Sequence, residues 1–196
     1  FEETHHDLNL TYRLTWTTSE QFGFVANSTL INQGRAPIKL ELISGLQNIL
    51  PANTPRALQE TSSNLVDAYK RTELDAATGL ATFSLYSAVS DRAQANESLR
   101  ANTTFSVGLP TSSTLISAQQ VDQFLGDTPV QKTLSTRGVR GLYLSQAALT
   151  VLPDEPVHWA TVADVQLTQQ QVQMLRTHLR TTELLTERLH NDIQKG

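Results

Sequence analysis

Apolar and polar residues alternate with a period of two in several segments of the first 165 residues, and this pattern limits the fold more than any other feature. In residues 8–16 the apolar side chains fall at every second position, from Leu8 to Trp16. Successive side chains of a β-strand point to opposite faces, so this segment predicts a strand buried on one face. Further strands are predicted at 22–31, 38–42, 81–89, 103–109, 138–152 and 157–165. We therefore expect a mainly β fold, a large antiparallel β-sandwich.

Sequence patterns typical of turns and of helix N-termini lie between these strands. Residues 32–37 (NQGRAP) predict a turn that joins two strands into a hairpin. Residues 64–74 fit either a helix or a strand, and we interpret them as a strand paired with residues 81–89. Ser117, followed three residues later by Gln120, has the form of a helix capping box, which predicts a short helix ending before Gly126.

The hydrophobic period changes from two to 3.6 after Thr168. One apolar stripe then runs to the end of the chain, through Val172, Leu175, Leu179, Leu185, Leu189 and Ile193. This spacing predicts one long amphipathic C-terminal helix over residues 168–193, about 39 Å long at 1.5 Å per residue. We accordingly expect two parts, a β-sandwich domain over 1–166 and a linker helix over 167–196.

Composition excludes several classes of protein. The formal net charge of −4 and the pI near 5.7 argue against nucleic acid or a membrane surface as a partner, since both select basic faces. There is no cysteine, which excludes disulfides and thiolate chemistry and fits a cytoplasmic protein. Phe1 stands where an initiator Met would be, so we expect a segment of a longer polypeptide, with its sandwich incomplete at the N-terminus.

The histidines do not form a convincing site in the sequence. His5 and His6 are adjacent on an extended segment before Asp7, so their rings point to opposite faces and cannot readily share a metal ion. His158 and Asp164 are six residues apart in a predicted strand, about 20 Å along it, which is too far for a catalytic dyad.

Paired carboxylates occur at two turns. Glu73 and Asp75 flank one predicted turn, and Asp154 and Glu155 lie within another. Acid–base catalysis requires a fixed separation and one carboxyl group in an apolar environment. Carboxylates at the tips of turns are solvated, so we expect these four to serve structure or solubility.

The sequence contains no nucleophile-elbow or dinucleotide-binding motif. Arg137 and Arg140 flank glycines in a manner that superficially resembles a phosphate-binding loop, but a strand is predicted after them where a helix is required. We therefore expect no catalytic residue, no cofactor and no metal in this segment, and the sequence assigns no residue to a substrate.

Four aromatic residues lie in predicted strands and could stack on sugar rings. They are Tyr12, Trp16, Tyr143 and Trp159. Tyr12 and Trp16 share the apolar phase of their strand, so a place in the hydrophobic core is the favoured interpretation.

Three segments together resemble the N-terminal β-sandwich domain of the cellobiose-phosphorylase-like glycoside phosphorylases. They are residues 24–40 (FVANSTLINQGRAPIKL), 64–69 (NLVDAY) followed by 72–80 (TELDAATGL), and 159–164 (WATVAD) with the long helix that follows. The resemblance implies a sandwich of the galactose-mutarotase-like supersandwich type. It also implies that the helix links this sandwich to a downstream (α/α) barrel, which in that family carries the catalytic and phosphate-binding groups.

The function expected from this resemblance is that of a non-catalytic β-sandwich in a larger carbohydrate-active enzyme, which transfers or hydrolyses glycosyl groups. The sandwich is expected to shape or support the active site of the downstream (α/α) barrel. The partners expected are the downstream catalytic domain, a carbohydrate and a second copy of the chain. One alternative is a stand-alone carbohydrate-binding module, which predicts an exposed aromatic platform. Another is an adaptor domain, which predicts a helix that stands clear of the sandwich and docks a partner.

Overall fold

The protein is described by a computed structural model over residues 1–87, 99–180 and 182–193; for 182–186 and 190 only the backbone is described. The strands in these ranges, β1 to β11 in chain order, are Glu2–His5, Leu10–Ser19, Gly23–Asn32, Ile38–Ile49, Lys70–Asp75, Leu80–Leu85, Arg100–Val107, Ser113–Leu115, Ser135–Arg137, Gly141–Val151 and Val157–Thr168. The helices, α1 to α5, are Arg56–Thr61, Ser63–Tyr69, Ala118–Leu125, Gln169–Leu179 and Thr182–Ile193.

The strands form two antiparallel sheets, which confirms the mainly β prediction. The large sheet has eight strands in the order β1-β2-β3-β11-β7-β6-β5-β9. The small sheet has three, in the order β4-β10-β8. In the large sheet β1–β2–β3 and β5–β6–β7 pair in chain order, whereas β11 and β9 pair with non-consecutive strands, as do all strands of the small sheet.

The large sheet is the middle layer of the molecule. One of its faces packs on the small sheet, where Leu10, Leu30 and Trp159 meet Ala147 and Leu149 of β10. The opposite face is covered by α4 and α5.

The contact between this second face and the helices is apolar. Val25, Phe105 and Val162 of the sheet form one buried cluster with Leu175 and Leu189 of the helices. Ser19, at the end of β2, also donates a hydrogen bond to Asp192 of α5. The helices are therefore part of the folded domain, covering a sheet face that would otherwise be apolar and exposed.

The turn at residues 32–37 does not form the predicted hairpin. β3 pairs with β2 and β11, whereas β4 lies in the other sheet and pairs with β10. The buried Asn32 explains this crossing, because its side-chain amide donates to the carbonyls of Ala36 (2.8 Å) and Val151 (3.0 Å). These bonds direct the chain towards β10 and the small sheet.

The C-terminal helical region also differs from the prediction. Thr168 caps a helix as expected, through a capping box with Gln171. That helix ends at Leu179, however, and a second helix spans Thr182–Ile193, so two helices stand where a single one was predicted. No helix among the described residues combines the length and the apolarity needed to span a membrane.

Residues 64–74, for which the sequence allowed either a helix or a strand, contain one of each. Ser63–Tyr69 is helical, and Lys70–Asp75 is a strand that forms the predicted hairpin with Leu80–Leu85. The predicted helix after Ser117 is confirmed, since the hydroxyl of Ser117 accepts a hydrogen bond from the backbone amide of Gln120. Residues 88 and 89 of the strand predicted at 81–89 lie outside the described residues.

Candidate functional site

A long apolar groove opens between the two sheets beside β4. Its volume is about 710 Å³. Both sheets contribute aliphatic side chains to it, among them Leu8, Leu30, Ile38, Leu40 and Leu42. Groups of this kind bind other apolar groups and exclude water, so the groove is suited to association rather than to acid–base chemistry.

The rings of Tyr12 and Trp159 and the hydroxyl of Ser44 line this groove. The rings of Tyr12 and Trp159 stack with centroids 6.1 Å apart and an interplanar angle of 30°. The indole Nε1 of Trp159 donates to the hydroxyl of Ser44 at 2.9 Å, and the hydroxyls of Tyr12 and Ser28 are 2.9 Å apart. Trp159 is buried, as predicted, and Tyr12 is half-buried.

Trp16 lies outside the core, so the prediction that it is a core residue was wrong. Its side chain is 54% exposed. The small sheet packs on Leu10 and Tyr12, nearer the start of β2, but not on Trp16. β1 likewise pairs only as far along β2 as Arg13. The indole therefore stands on an uncovered part of the large sheet.

A second exposed aromatic residue shares that surface. Phe24 of β3 is 47% exposed and lies directly opposite Thr18 of β2, two residues beyond Trp16. Residues two apart on a strand, and residues directly opposite across a pair, point to the same face. Trp16, Thr18 and Phe24 thus form one surface, called here the Trp16 platform. Phe24 was not singled out from the sequence, because its phase in β3 resembles that of a core residue.

His158 and Asp164 have different hydrogen-bond partners in the structure. His158 bonds through Nδ1 to the hydroxyl of Thr29 at 3.0 Å. Asp164 accepts a hydrogen bond from the backbone amide of Val165 at 2.7 Å. His5 and His6 are exposed, and Nδ1 of His5 accepts from the amide of Leu8. In the ranges that the structure describes, no group of three or more His, Asp or Glu side chains is placed to hold a metal ion.

The carboxylates of Glu73 and Asp75 are paired with cations. Glu73 accepts from Arg71, and Asp75 accepts from Arg176 of α4, at 2.6 Å and 2.7 Å. Asp75 is only 14% exposed, so the expectation of a solvated turn-tip group was wrong for it. Burial raises the pKa of Asp75, but the hydrogen bonds from the amide of Ala77 and from Arg176 outweigh it, so the pKa lies below its ordinary value.

The other candidate residues lie in turns, beside an aromatic ring or at the start of a strand. Asp154 and Glu155 are exposed in the β10–β11 turn, as predicted. The guanidinium of Arg137 lies 5.7 Å from the centroid of the Tyr86 ring. Arg140 is exposed, and the strand β10 follows it, as expected.

Tyr143 belongs to the core, as predicted. Its ring packs with Ala81 and Phe83 between the sheets. Burial raises its pKa to about 12, because the phenolate would lose its hydration there.

Two comparisons with known proteins found no relative of this chain. No family model matches the chain, and no curated protein shows significant sequence similarity to it.

Proposed function

We propose that this chain is a non-catalytic β-sandwich module of a larger carbohydrate-active enzyme, and that it binds glycan on the Trp16 platform. The sandwich is of the galactose-mutarotase-like type in this proposal, and α4 and α5 form the connection to a downstream (α/α) barrel. The single observation that carries the binding role is the exposure of Trp16 on an open sheet face.

The chemistry of the Trp16 platform supports a sugar ligand. A pyranose ring has an apolar face of C–H groups and an edge of hydroxyls, so an aromatic surface bordered by polar groups complements both. Trp16 and Phe24 supply two aromatic rings on adjacent strands, and the exposed Thr18 supplies a hydroxyl beside them. The opposite neighbour of Trp16 on β3 is the small, buried Ala26.

The helices favour this proposal over the adaptor alternative. An adaptor requires a helix that stands clear of the sandwich with its apolar stripe available to a partner. Leu175, Leu179 and Leu189 are instead buried against the large sheet. An exposed aromatic platform is the feature that the carbohydrate-binding alternative predicts, and Trp16 with Phe24 meets it.

Calorimetric titration with a panel of hexasaccharides (cello-, laminari-, malto- and xylohexaose) tests the proposal. We expect at least one panel member to bind, and Trp16→Ala to weaken that binding at least tenfold, since stacked aromatic anchors dominate such contacts. Phe24→Ala should weaken it by a smaller factor. Tyr86→Ala is the matched control, because Tyr86 is also exposed but lies outside the platform. Absence of binding to every panel member, or equal effects of Trp16→Ala and Tyr86→Ala, would contradict the proposal.

A further inference from the structure

Strand β4 is an open edge of the small sheet. It is twelve residues long, and within the described part of the chain it pairs on one side only, with β10. The N–H and C=O groups along its other side therefore face outward. A strand edge of this length is a template for pairing with another chain.

The core-facing residues of β4 are incompletely covered. Ile38, Leu40 and Leu42 point into the groove between the sheets and are half-buried. Their direct partners on β10, Val151, Leu149 and Ala147, are buried. The two strands carry similar apolar residues in the same layer, but of these six side chains only the three of β4 line the groove. Another strand beside β4 would bury these three side chains.

The charged residues on this edge have a specific arrangement. Lys39 and Glu41 flank Leu40, are exposed, and point to the face away from the core. Charges on an edge strand commonly prevent pairing with other chains. Here the two charges have opposite signs and are two residues apart, so this segment of the edge is complementary to a reversed copy of itself.

We propose that β4 pairs with β4 of a second copy of this chain, antiparallel and about a two-fold axis at Leu40. This register places Lys39 of each copy opposite Glu41 of the other, which gives two ion pairs across the axis. It also places Ile38 opposite Leu42 in the continued apolar layer. The two small sheets then become one sheet, and the groove is filled by the same residues from both copies, as a two-fold interface requires. This inference does not depend on glycan binding at the Trp16 platform.

Other registers lose these contacts. An axis at Lys39 or at Glu41 places like charges directly opposite each other, which is destabilising. An axis at Leu42 leaves Lys39 and Glu41 without charged partners. A shift by an odd number of residues pairs outward-facing with core-facing side chains, because the side-chain period of a strand is two. Among these registers, the axis at Leu40 alone satisfies both the charges and the apolar layer.

Charge reversal tests the pairing in solution. Sedimentation equilibrium of the full 196-residue chain should show a monomer–dimer equilibrium. Lys39→Glu or Glu41→Lys alone should weaken the dimer about tenfold or more, since each variant creates two like-charge pairs. The double variant Lys39→Glu/Glu41→Lys restores complementarity and should restore the dimer. Both residues are exposed, so circular dichroism should show an unchanged fold in all three variants.

A cysteine scan tests the position of the axis. The chain has no cysteine, so each introduced thiol is the only one. Leu40→Cys places two thiols directly opposite each other, within the Cα separation of about 4.4–6.8 Å that a disulfide allows. Ile38→Cys, the matched control, places them about 13 Å apart along the strands. Mild oxidation should therefore cross-link the first variant and not the second.

Three results would overturn the proposal. They are a chain that stays monomeric up to millimolar concentration, a dimer that neither single charge reversal weakens, and equal cross-linking of the two cysteine variants. If the chain stays monomeric and β4 instead captures an unrelated extended peptide, the edge belongs to a different partner.

Discussion

The indole nitrogen of Trp159 donates a 2.9 Å hydrogen bond to the hydroxyl of Ser44, and this contact joins the two sheets across their mainly apolar interface. Trp159 lies on β11 of the large sheet, and Ser44 lies on β4 of the small sheet. A buried indole N–H without an acceptor is unfavourable, so the contact helps to fix the position of one sheet relative to the other.

Removing the acceptor should destabilise the protein measurably. We expect Ser44→Ala to lower the free energy of unfolding by about 1–2 kcal/mol, because the indole N–H of Trp159 then has no partner. The double variant Ser44→Ala/Trp159→Phe should lose less unfolding free energy than the sum of the two single losses. Denaturant unfolding measures both. Ser112→Ala, which removes an exposed hydroxyl bond, is the control, and a loss equal to that of Ser44→Ala would contradict the account.

The helices on the large sheet should contribute strongly to stability. Leu175 is buried in the cluster with Val25 and Phe105, whereas its neighbour Met174 is 54% exposed. We expect Leu175→Ala to cost about 2–4 kcal/mol of unfolding free energy and Met174→Ala less than about 0.5 kcal/mol. Similar small losses in both variants, measured by chemical denaturation, would show that α4 is not held on the sheet.

The ion pair between Asp75 and Arg176 should make the attachment of α4 dependent on pH. The folded-state pKa of Asp75 lies below its ordinary value of 3.8, so its stabilising contribution is present above that value and is lost as the pH falls through the folded pKa. At pH 7 we expect Asp75→Asn to cost about 0.5–1 kcal/mol, since Arg176 is partly exposed and screened by solvent.

The same variant should cost less as the solution is acidified. Unfolding of wild type and Asp75→Asn at a series of acidic pH values measures this convergence. Asp154→Asn, at an exposed turn, is the control. A difference between wild type and Asp75→Asn that stays constant down to the lowest pH would contradict the assignment.

Tyr143 should make the fold sensitive to alkali. Burial raises its pKa to about 12. Its contribution to the free energy of unfolding is therefore fully present below the ordinary pKa of 10 and is lost as the pH rises through about 12. The tyrosinate absorbance of wild type minus that of Tyr143→Phe should therefore titrate near pH 12 in the native protein. In denaturant the same difference should titrate near pH 10. Native titration of this difference near 10 would show that the ring is accessible to water.

The local signals in the sequence predicted the elements that depend on local chemistry. The alternation in residues 8–16 gave a strand, and the hydroxyls of Ser117 and Thr168 cap helices where their positions indicated. These predictions succeed because a cap or a strand face is decided within a few residues.

Two of the errors arise from contacts distant in sequence. Trp16 and Trp159 both have the apolar phase of a strand, yet Trp16 is exposed and Trp159 is buried. The difference arises because the small sheet covers Trp159 but does not extend over Trp16. The β3–β4 turn resembles a hairpin, but Asn32 bonds to Val151, a residue more than a hundred positions away. No local pattern contains that information. The importance of Trp16, and the open edge at β4, could therefore be recognised only from the arrangement of the sheets.

The most direct test of the glycan-binding account is the response of the two indole N–H resonances in a ¹⁵N-labelled sample. The chain contains two tryptophans, Trp16 and Trp159, so each resonance can be assigned from Trp16→Phe and Trp159→Phe. On titration with the hexasaccharide that binds in calorimetry, we predict that the resonance of Trp16 shifts progressively and saturates while that of the buried Trp159 stays in place. A stationary Trp16 resonance under saturating hexasaccharide would contradict the account.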